Sequence, residues 1–187
     1  MADTPTREPR GKQIPEDGPA RTMAQSFSDI ITILIRTEPF RDMPLKDLEW
    51  LVVPALMRHQ FALAHATKNE TNKNETPESP NGESGDKDGP PMPVGLVMWA
   101  SVSPDVDAKF RADKTSALIT MAREDWASGD IPWIIVAAGM PQVLKTMVGQ
   151  VAGRVFKGKP VNIRVGDGKS FRVETLRTQE PSTPLPN

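Results

Sequence analysis

Apolar residues recur along the chain at the spacing of helices in some segments and at the spacing of strands in others. Residues 27–34 place apolar side chains on one helical face, and Pro39 closes that segment. A second helix is predicted to begin near Pro44 and to be kinked or ended by Pro54. Its buried side is predicted to comprise Leu45, Leu48, Leu51 and Val52. Two helices are therefore predicted ahead of the first strand.

The rest of the pattern predicts strands with helices between them. Short apolar runs rich in strand-forming residues lie at residues 60–64, 94–102, 131–137, 161–165 and 171–176. Short helices are predicted at residues 105–111 and 116–123. The clearest helix follows Pro141, with apolar pairs every four residues as far as Gly158, and its broad face must pack on a sheet. The pattern predicts an α+β fold, a mixed and mainly antiparallel sheet flanked by helices.

Three stretches differ from the rest in composition. Residues 1–22 and 178–187 are polar and proline-rich, and residues 67–93 contain one apolar residue, Met92. Such segments bury too little apolar surface to offset the entropy of ordering. We therefore predict a disordered N-terminal tail, a disordered insertion and a disordered C-terminal tail around one folded domain at residues 24–177.

The amino-acid composition limits the kinds of catalytic and metal-binding site that the chain can form. The 187 residues include no cysteine and only two histidines, His59 and His65. A disulfide framework and thiolate catalysis are excluded, and no metal site is expected. The N-terminal residues lack the apolar core of a signal peptide, and no apolar stretch is long enough to span a bilayer. We expect a cytoplasmic protein without a transmembrane segment.

The run Glu124–Trp133, Glu-Asp-Trp-Ala-Ser-Gly-Asp-Ile-Pro-Trp, carries a specific resemblance. It resembles a signature of the RTX toxin-activating lysine acyltransferases of the hemolysin-activating type. Residues 53–63, 94–100 and 161–169 are similar to further segments of that family, so the resemblance covers about residues 24 to 177. It implies transfer of a fatty acyl group from acyl carrier protein to internal lysines of an RTX-type protoxin.

The resemblance also implies a fold and partners. The family has a fold like that of the Gcn5-related N-acetyltransferases, but residues 137–141 lack the phosphate loop of the members that use coenzyme A. An acyl-acyl carrier protein donor with no permanently bound cofactor fits better. The expected partners are acyl carrier protein and an RTX-type protoxin, and a homodimer remains open.

Two positions depart from the family pattern. The resemblance implies a histidine where this chain has Phe40 and a supporting aspartate where it has Val136. A lysine amine with a pKa of about 10.4 is almost fully protonated at pH 7, so a base is expected. Phe40 and Val136 carry no proton, but they can pack together in place of the missing pair.

Three other residues are candidates for the missing base. His59 precedes the first predicted strand and is the best replacement, although a partly exposed histidine at a helix end is the favoured explanation of it. Asp125 and Asp130 are further candidates, but a local turn or cap accounts for both. His65, beside the predicted insertion, is expected to be solvated.

The last quarter of the domain is basic. Residues 140–177 contain eight lysines and arginines but only two acidic residues, Asp167 and Glu174. The predicted partner-binding residues are Lys157, Lys159, Arg164, Lys169 and Arg172, and Arg177 belongs to the same basic set. They would meet an acidic carrier protein, although an ordinary solvated hairpin gives the same pattern. Nucleic acid is not an expected partner, because the net charge is −1 and no nucleic-acid motif is present.

Two function classes remain open from the sequence. One is a toxin-activating protein-lysine acyltransferase with a rearranged or weakened site. The other is a noncatalytic relative that binds an acyl carrier or an RTX-like partner.

Overall fold

The protein is described by a computed structural model over residues 22–66, 91–166 and 170–177. Most of the two predicted tails and of the predicted insertion lies outside the described residues. The last residue of the predicted N-terminal tail and the last three of the predicted insertion are described, and they are ordered: Thr22 caps the first helix, and a strand begins at Met92, two residues earlier than expected.

Within the described ranges, helices and strands alternate much as the pattern predicts. The helices are α1 (Met23–Leu34), α2 (Leu48–Leu51), α3 (Val53–Met57), α4 (Pro104–Ala112) and α5 (Pro141–Arg154). The strands are β1 (Phe61–Ala66), β2 (Met92–Val102), β3 (Ile131–Gly139), β4 (Val161–Gly166) and β5 (Phe171–Leu176).

The strands form one sheet in the order β1-β2-β3-β4-β5. Only β3 and β4 run parallel, because α5 connects them, and the other neighbours are antiparallel. This confirms the predicted α+β fold with a mixed, mainly antiparallel sheet, and it is consistent with a Gcn5-related N-acetyltransferase-like fold.

Local sequence explains where the helices begin. Thr22 and Gln25 form a reciprocal capping box at the start of α1. Ser103 caps α4 and Pro104 follows it, and Pro141 occupies the first position of α5, where a missing N–H costs nothing.

Two predictions about the helices are wrong. Leu45 is not on a buried side, because it lies in a short 3-10 turn and is 84% exposed. Residues 116–123 do not form a helix. Instead the segment runs beside α4, where the Lys109 ammonium donates a hydrogen bond to the Thr120 carbonyl at 2.8 Å.

The sheet separates two hydrophobic clusters. The larger cluster lies on the face covered by α1 to α4 and includes Phe40, Trp126, Trp133 and Val136. The smaller lies between the opposite face and α5 and is centred on Met147 and Val151. A bulge in β3 places Trp133 and Val136 on the same face, because Met98 pairs with Val136 and Trp99 with Ile134, so Ile135 is an extra residue.

Candidate functional site

The signature run Glu124–Trp133 connects several elements. The buried indole of Trp126 donates to the Trp50 carbonyl at 3.0 Å. The Ser128 hydroxyl accepts from the Ser103 N–H at 2.8 Å, and the Gly129 N–H donates to the Ser101 carbonyl at 3.1 Å. These contacts hold α2, the end of β2 and the start of β3 together, so the run has a structural role. We call this set of contacts the clasp.

β3 and β4 separate soon after they meet. Their register includes only Trp133 with Asn162 and Ile134 with Ile163. The buried Asn162 amide joins this closed end: it donates to the Pro132 carbonyl at 3.4 Å and accepts from the Thr175 hydroxyl at 2.8 Å. Beyond these pairs the two strands diverge, and cavities lie on both sides of the gap.

The first cavity, here called the aromatic-face cavity, has a volume of about 180 Å³. Five aromatic residues line it: Phe40, Trp50, Phe110, Trp133 and Phe171. Phe110 packs edge-on against Trp133, with ring centroids 5.0 Å apart. Among its described lining residues, the charged side chains are Glu38 and Arg164. The cavity is therefore lined mainly by aromatic and aliphatic side chains, with one carboxylate and one guanidinium. The Glu38 carboxylate is exposed and paired with Arg41 at 3.2 Å.

The second cavity, here called the helix-face cavity, has a volume of about 420 Å³ and lies beneath α5. Its apolar walls are Ala137, Leu144, Val148, Ala152, Ile163 and Leu176. Gly149 and two exposed cations, Lys145 and Arg177, complete the lining. Ala137 and Ile163 also line the aromatic-face cavity, which places the two cavities on either side of the gap between β3 and β4.

Phe40 and Val136 lie where the sequence resemblance implies a proton-transfer pair. Phe40 is 8% exposed and Val136 is 1% exposed, and both belong to the larger hydrophobic cluster. An ionised group at either position would have to be desolvated, at considerable cost unless it were paired. Both positions are therefore occupied by packed apolar side chains, which cannot transfer a proton.

Arg164 is directed inward rather than towards a partner. Its guanidinium donates to the Asp113 carbonyl at 2.6 Å and lies 5.1 Å from the centre of the Phe171 ring. Burial lowers the pKa of Arg164, and the nearby Asp113 carboxylate partly opposes that shift. The pKa of Asp113 itself is far below its ordinary value, because Ser116 and Thr115 donate hydrogen bonds to it. An arginine in this setting stays charged, so Arg164 orders the wall of the aromatic-face cavity.

None of the three candidate bases lines either cavity. His59 is exposed at the end of α3 with φ 54°, and the Gln60 N–H donates across it to the Ala55 carbonyl at 2.8 Å. Asp125 accepts from the Ala122 N–H at 2.9 Å within its own turn. Asp130 is exposed in the turn before β3.

The structure pairs the other histidine, contrary to expectation. His65 Nε2 lies 3.0 Å from a carboxylate oxygen of Asp29 on α1, and both side chains are less than a fifth exposed. The prediction that His65 is solvated is wrong. Sequence offered no sign of this contact, because the two residues are 36 positions apart.

The predicted partner-binding residues fall into different settings. Lys157 and Lys159 are exposed just after α5, whereas Arg172 is exposed and pairs with Glu174 at 2.7 Å. Lys169 lies outside the described residues. Sequence reasoning missed Glu38 and Lys145, which line the cavities, and it identified Arg177 only as one of the basic residues of the last quarter of the domain.

The five-stranded mixed sheet with flanking helices is consistent with a Gcn5-related N-acetyltransferase-like fold. Residues 89–178 match the family model described as HlyC, the RTX toxin acyltransferase family. The match supports the family that the sequence resemblance indicated. That family implies RTX toxin acyltransferase activity in general, with an RTX protoxin as substrate. No curated protein matches the chain significantly.

Two further observations concern what the described residues could hold. Within the described ranges, no group of three or more His, Cys, Asp or Glu side chains could hold a metal ion. Nor does any described helix combine the length and apolar character needed to cross a membrane.

Proposed function

We propose that the protein transfers a fatty acyl group from acyl carrier protein to lysine side chains of an RTX-type protoxin. The observation that carries this proposal is the gap between β3 and β4, which has an apolar cavity on each side and lies in the segment that matches the family. An acyl thioester held in the gap would meet its acceptor inside an apolar chamber.

The aromatic-face cavity offers a way to prepare the acceptor amine without the missing pair. Desolvation disfavours the charged form of a lysine and lowers its pKa by as much as about 3–5 units when burial is complete. A lysine entering between Phe40, Trp50 and Trp133 would lose most of its hydration. Its proton would pass to water or to Glu38 at the cavity. Positioning and desolvation then replace part of what a base supplies.

The transfer itself balances without a cofactor. The neutral amine nitrogen attacks the thioester carbonyl carbon, the C–N bond forms, and the C–S bond breaks. The carrier's sulfur leaves as a thiolate and takes up a proton, while the amine nitrogen loses its remaining excess proton. Losing a general base typically costs about 10²- to 10⁴-fold in rate, so transfer by this chain is expected to be slow.

A second candidate function rests on Phe40 and Val136. Both are buried in the hydrophobic cluster, so the positions implied for proton transfer carry no titratable group. A noncatalytic protein that binds an acyl carrier or an RTX-like partner would need the cavities but not the proton-transfer pair. The two candidates differ in one measurable quantity, the rate of acyl transfer.

The deciding experiment is transfer in a purified system. The full chain, an acyl carrier protein loaded with a myristoyl chain and an RTX protoxin are incubated together, and the protoxin is followed by intact mass. We expect slow addition of one acyl mass per modified lysine. His59→Ala is expected to leave that rate unchanged, and loss of transfer in this variant would indicate a relocated base.

Matched variants distinguish slow catalysis by the native chain from the absence of catalysis. Phe40→His with Val136→Asp restores a proton-transfer pair, whereas Phe40→Leu with Val136→Leu changes side-chain shape but adds no titratable group. No transfer by the native chain, with transfer gained only in the His and Asp variant, would overturn the acyltransferase proposal in favour of the noncatalytic one.

A further inference from the structure

A groove lies beside the signature run, outside the gap between β3 and β4. It has a volume of about 430 Å³ and lies between the segment that contains α2 and residues 121–123, just ahead of the run. It is here called the cationic groove, and the lining residues that matter are Lys46, Glu49, Trp50, Val53 and Arg123.

Two of the three charged side chains at the cationic groove are cations. Lys46, Glu49 and Arg123 are all exposed, and within the described ranges none of them takes part in an ion pair. The Asp125 carboxylate accepts from the Ala122 N–H at 2.9 Å, which orders the turn that carries Arg123. The groove therefore has a net positive charge on unpaired groups, and it favours an acidic side chain of a partner.

Trp50 connects the cationic groove to the aromatic-face cavity. This half-buried side chain lines both. Its carbonyl accepts from the indole of Trp126 at 3.0 Å, so the signature run holds in place the residue that separates the two sites. A lysine in the aromatic-face cavity would thus have the cationic groove as its neighbour, across a single indole.

A third depression continues the surface beyond Val53. It has a volume of about 260 Å³, is here called the apolar groove, and is lined by Val53 and Met57 together with Met23 and Phe27 of α1. Met23, Phe27 and Met57 are 48%, 37% and 59% exposed, and no charged residue is among the described lining. A cluster of large exposed apolar side chains is typical of an interaction site.

The three depressions lie in a row along α2 and α3. Trp50, Val53 and Met57 follow one another at spacings of three and four residues, which places them on one side of the two helices. Seven helical residues rise about 10 Å, which is the reach of about three residues of extended chain. The row therefore matches a short extended peptide that starts at the aromatic-face cavity.

We propose that this row binds the acceptor polypeptide beside its lysine, with an acidic side chain at Lys46 and Arg123 and an apolar side chain in the apolar groove. This inference rests on the proposed function and adds acceptor specificity to it. Lysines with acidic and apolar neighbours are the preferred acceptors.

Binding of synthetic acceptor peptides tests the cationic groove without requiring turnover. One peptide carries a single lysine with two aspartates on each side of it and two leucines beyond them, so either chain direction is tested. A second peptide has asparagine in place of each aspartate. Dissociation constants for the full chain are measured by fluorescence anisotropy. We expect the aspartate peptide to bind about three- to tenfold more tightly at low salt, and less so at moderate salt.

Three variants test whether that preference arises at the cationic groove. Lys46→Gln with Arg123→Gln should remove it, whereas Glu49→Gln should raise it about twofold, because Glu49 repels the same aspartates. Lys145→Gln with Arg154→Gln removes two exposed cations from α5, on the opposite face of the sheet, and should leave it unchanged. Weaker binding of the aspartate peptide to Glu49→Gln, or equal losses in the two double variants, would overturn the charge assignment.

A third peptide, with serines in place of the leucines, tests the apolar groove. The native chain should prefer the leucine peptide by about threefold or more, because leucine gains from leaving water. Met57→Gln should reduce that preference. Met140→Gln, which replaces a methionine of similar exposure outside the groove, should preserve it. Equal effects of the two substitutions would exclude the apolar groove from peptide binding.

Transfer and peptide binding together distinguish this inference from the proposed function. If the native chain acylates a protoxin but binds the three peptides equally, the acceptor-binding row is wrong while the function stands. If the native chain prefers the peptide with aspartates and leucines but transfers no acyl group to the protoxin, the acyltransferase function fails. The row then belongs to a noncatalytic protein that binds a polypeptide of the same chemistry.

Discussion

Val136 shows how a single residue limits what this site can do. Its side chain is 1% exposed within an apolar cluster, where a carboxylate would be buried without a partner. We expect Val136→Asp to lower the free energy of unfolding by about 3–5 kcal/mol, as measured by urea denaturation followed by tryptophan fluorescence. Combining it with Phe40→His should recover about 1–3 kcal/mol through pairing. Strict additivity of the two costs would show that the positions do not interact.

His59 is a residue whose backbone conformation gives it a structural role. It occupies the left-handed region, φ 54°, at the end of α3, where a residue with a Cβ is strained by about 1–2 kcal/mol. Glycine avoids that strain. We therefore expect His59→Gly to be about 1 kcal/mol more stable than His59→Ala in thermal or urea unfolding. Equal stability of the two variants would contradict a capping role.

At the scale of elements, the clasp formed by the signature run depends on Gly129. A Cβ at this position would lie 2.6 Å from the Val102 carbonyl oxygen and 2.8 Å from the Ser103 Cα, both of which are backbone atoms. We expect Gly129→Ala to cost about 1–3 kcal/mol of unfolding free energy, because two segments must move apart. Gly153→Ala on α5 is the control and should stabilise the helix by about 0.5–1 kcal/mol. If Gly129→Ala leaves the unfolding free energy unchanged, close packing at Gly129 does not contribute to the clasp.

The turn after α4 gives the fold a dependence on pH. The Ser116 hydroxyl and the N–H groups of Ser116 and Thr115 hold the pKa of Asp113 well below its ordinary value. The folded state therefore gains stability from ionised Asp113 above about pH 4, and loses it as the pH falls towards the folded-state pKa. Asp113→Asn should flatten the fall in unfolding free energy between about pH 5 and pH 2. Asp130→Asn, which removes one carboxylate from an exposed turn, is the control for the loss of a charge.

Elements were predictable from sequence where periodicity alone determines them. α5 and the hairpin of β4 and β5 follow directly from apolar spacing and from the glycines and prolines at their ends. Residues 116–123 have helical periodicity but are held in an irregular path, in part by the contact from Lys109. Tertiary contacts of this kind override local propensity, and they leave no mark on the sequence pattern.

At the scale of the whole molecule, the sequence indicated the fold and the family but not the arrangement of the site. Val136 and Phe40 could be assigned to the family's positions by resemblance, whereas Lys145, Arg177 and Glu38 could not be placed at cavities. The cavities depend on how far β3 and β4 stay paired before they diverge. That distance is set by packing on both faces of the sheet, and no short segment encodes it.

The charged residues at the two cavities differ, since Glu38 and Arg164 line one whereas Lys145 and Arg177 line the other, and this difference leads to a last prediction. Glu38 lines the aromatic-face cavity, where an acceptor lysine would approach, while Lys145 and Arg177 line the cavity on the other side. Glu38→Gln should weaken binding of the lysine-bearing protoxin about two- to fivefold, because Arg41 then faces the ammonium without its partner. Binding of acyl carrier protein should not change. Protoxin and carrier affinities measured side by side by fluorescence anisotropy, with Glu124→Gln as the exposed control, test this division. A Glu38 variant that leaves protoxin binding unchanged would contradict the aromatic-face cavity as the site of the acceptor lysine.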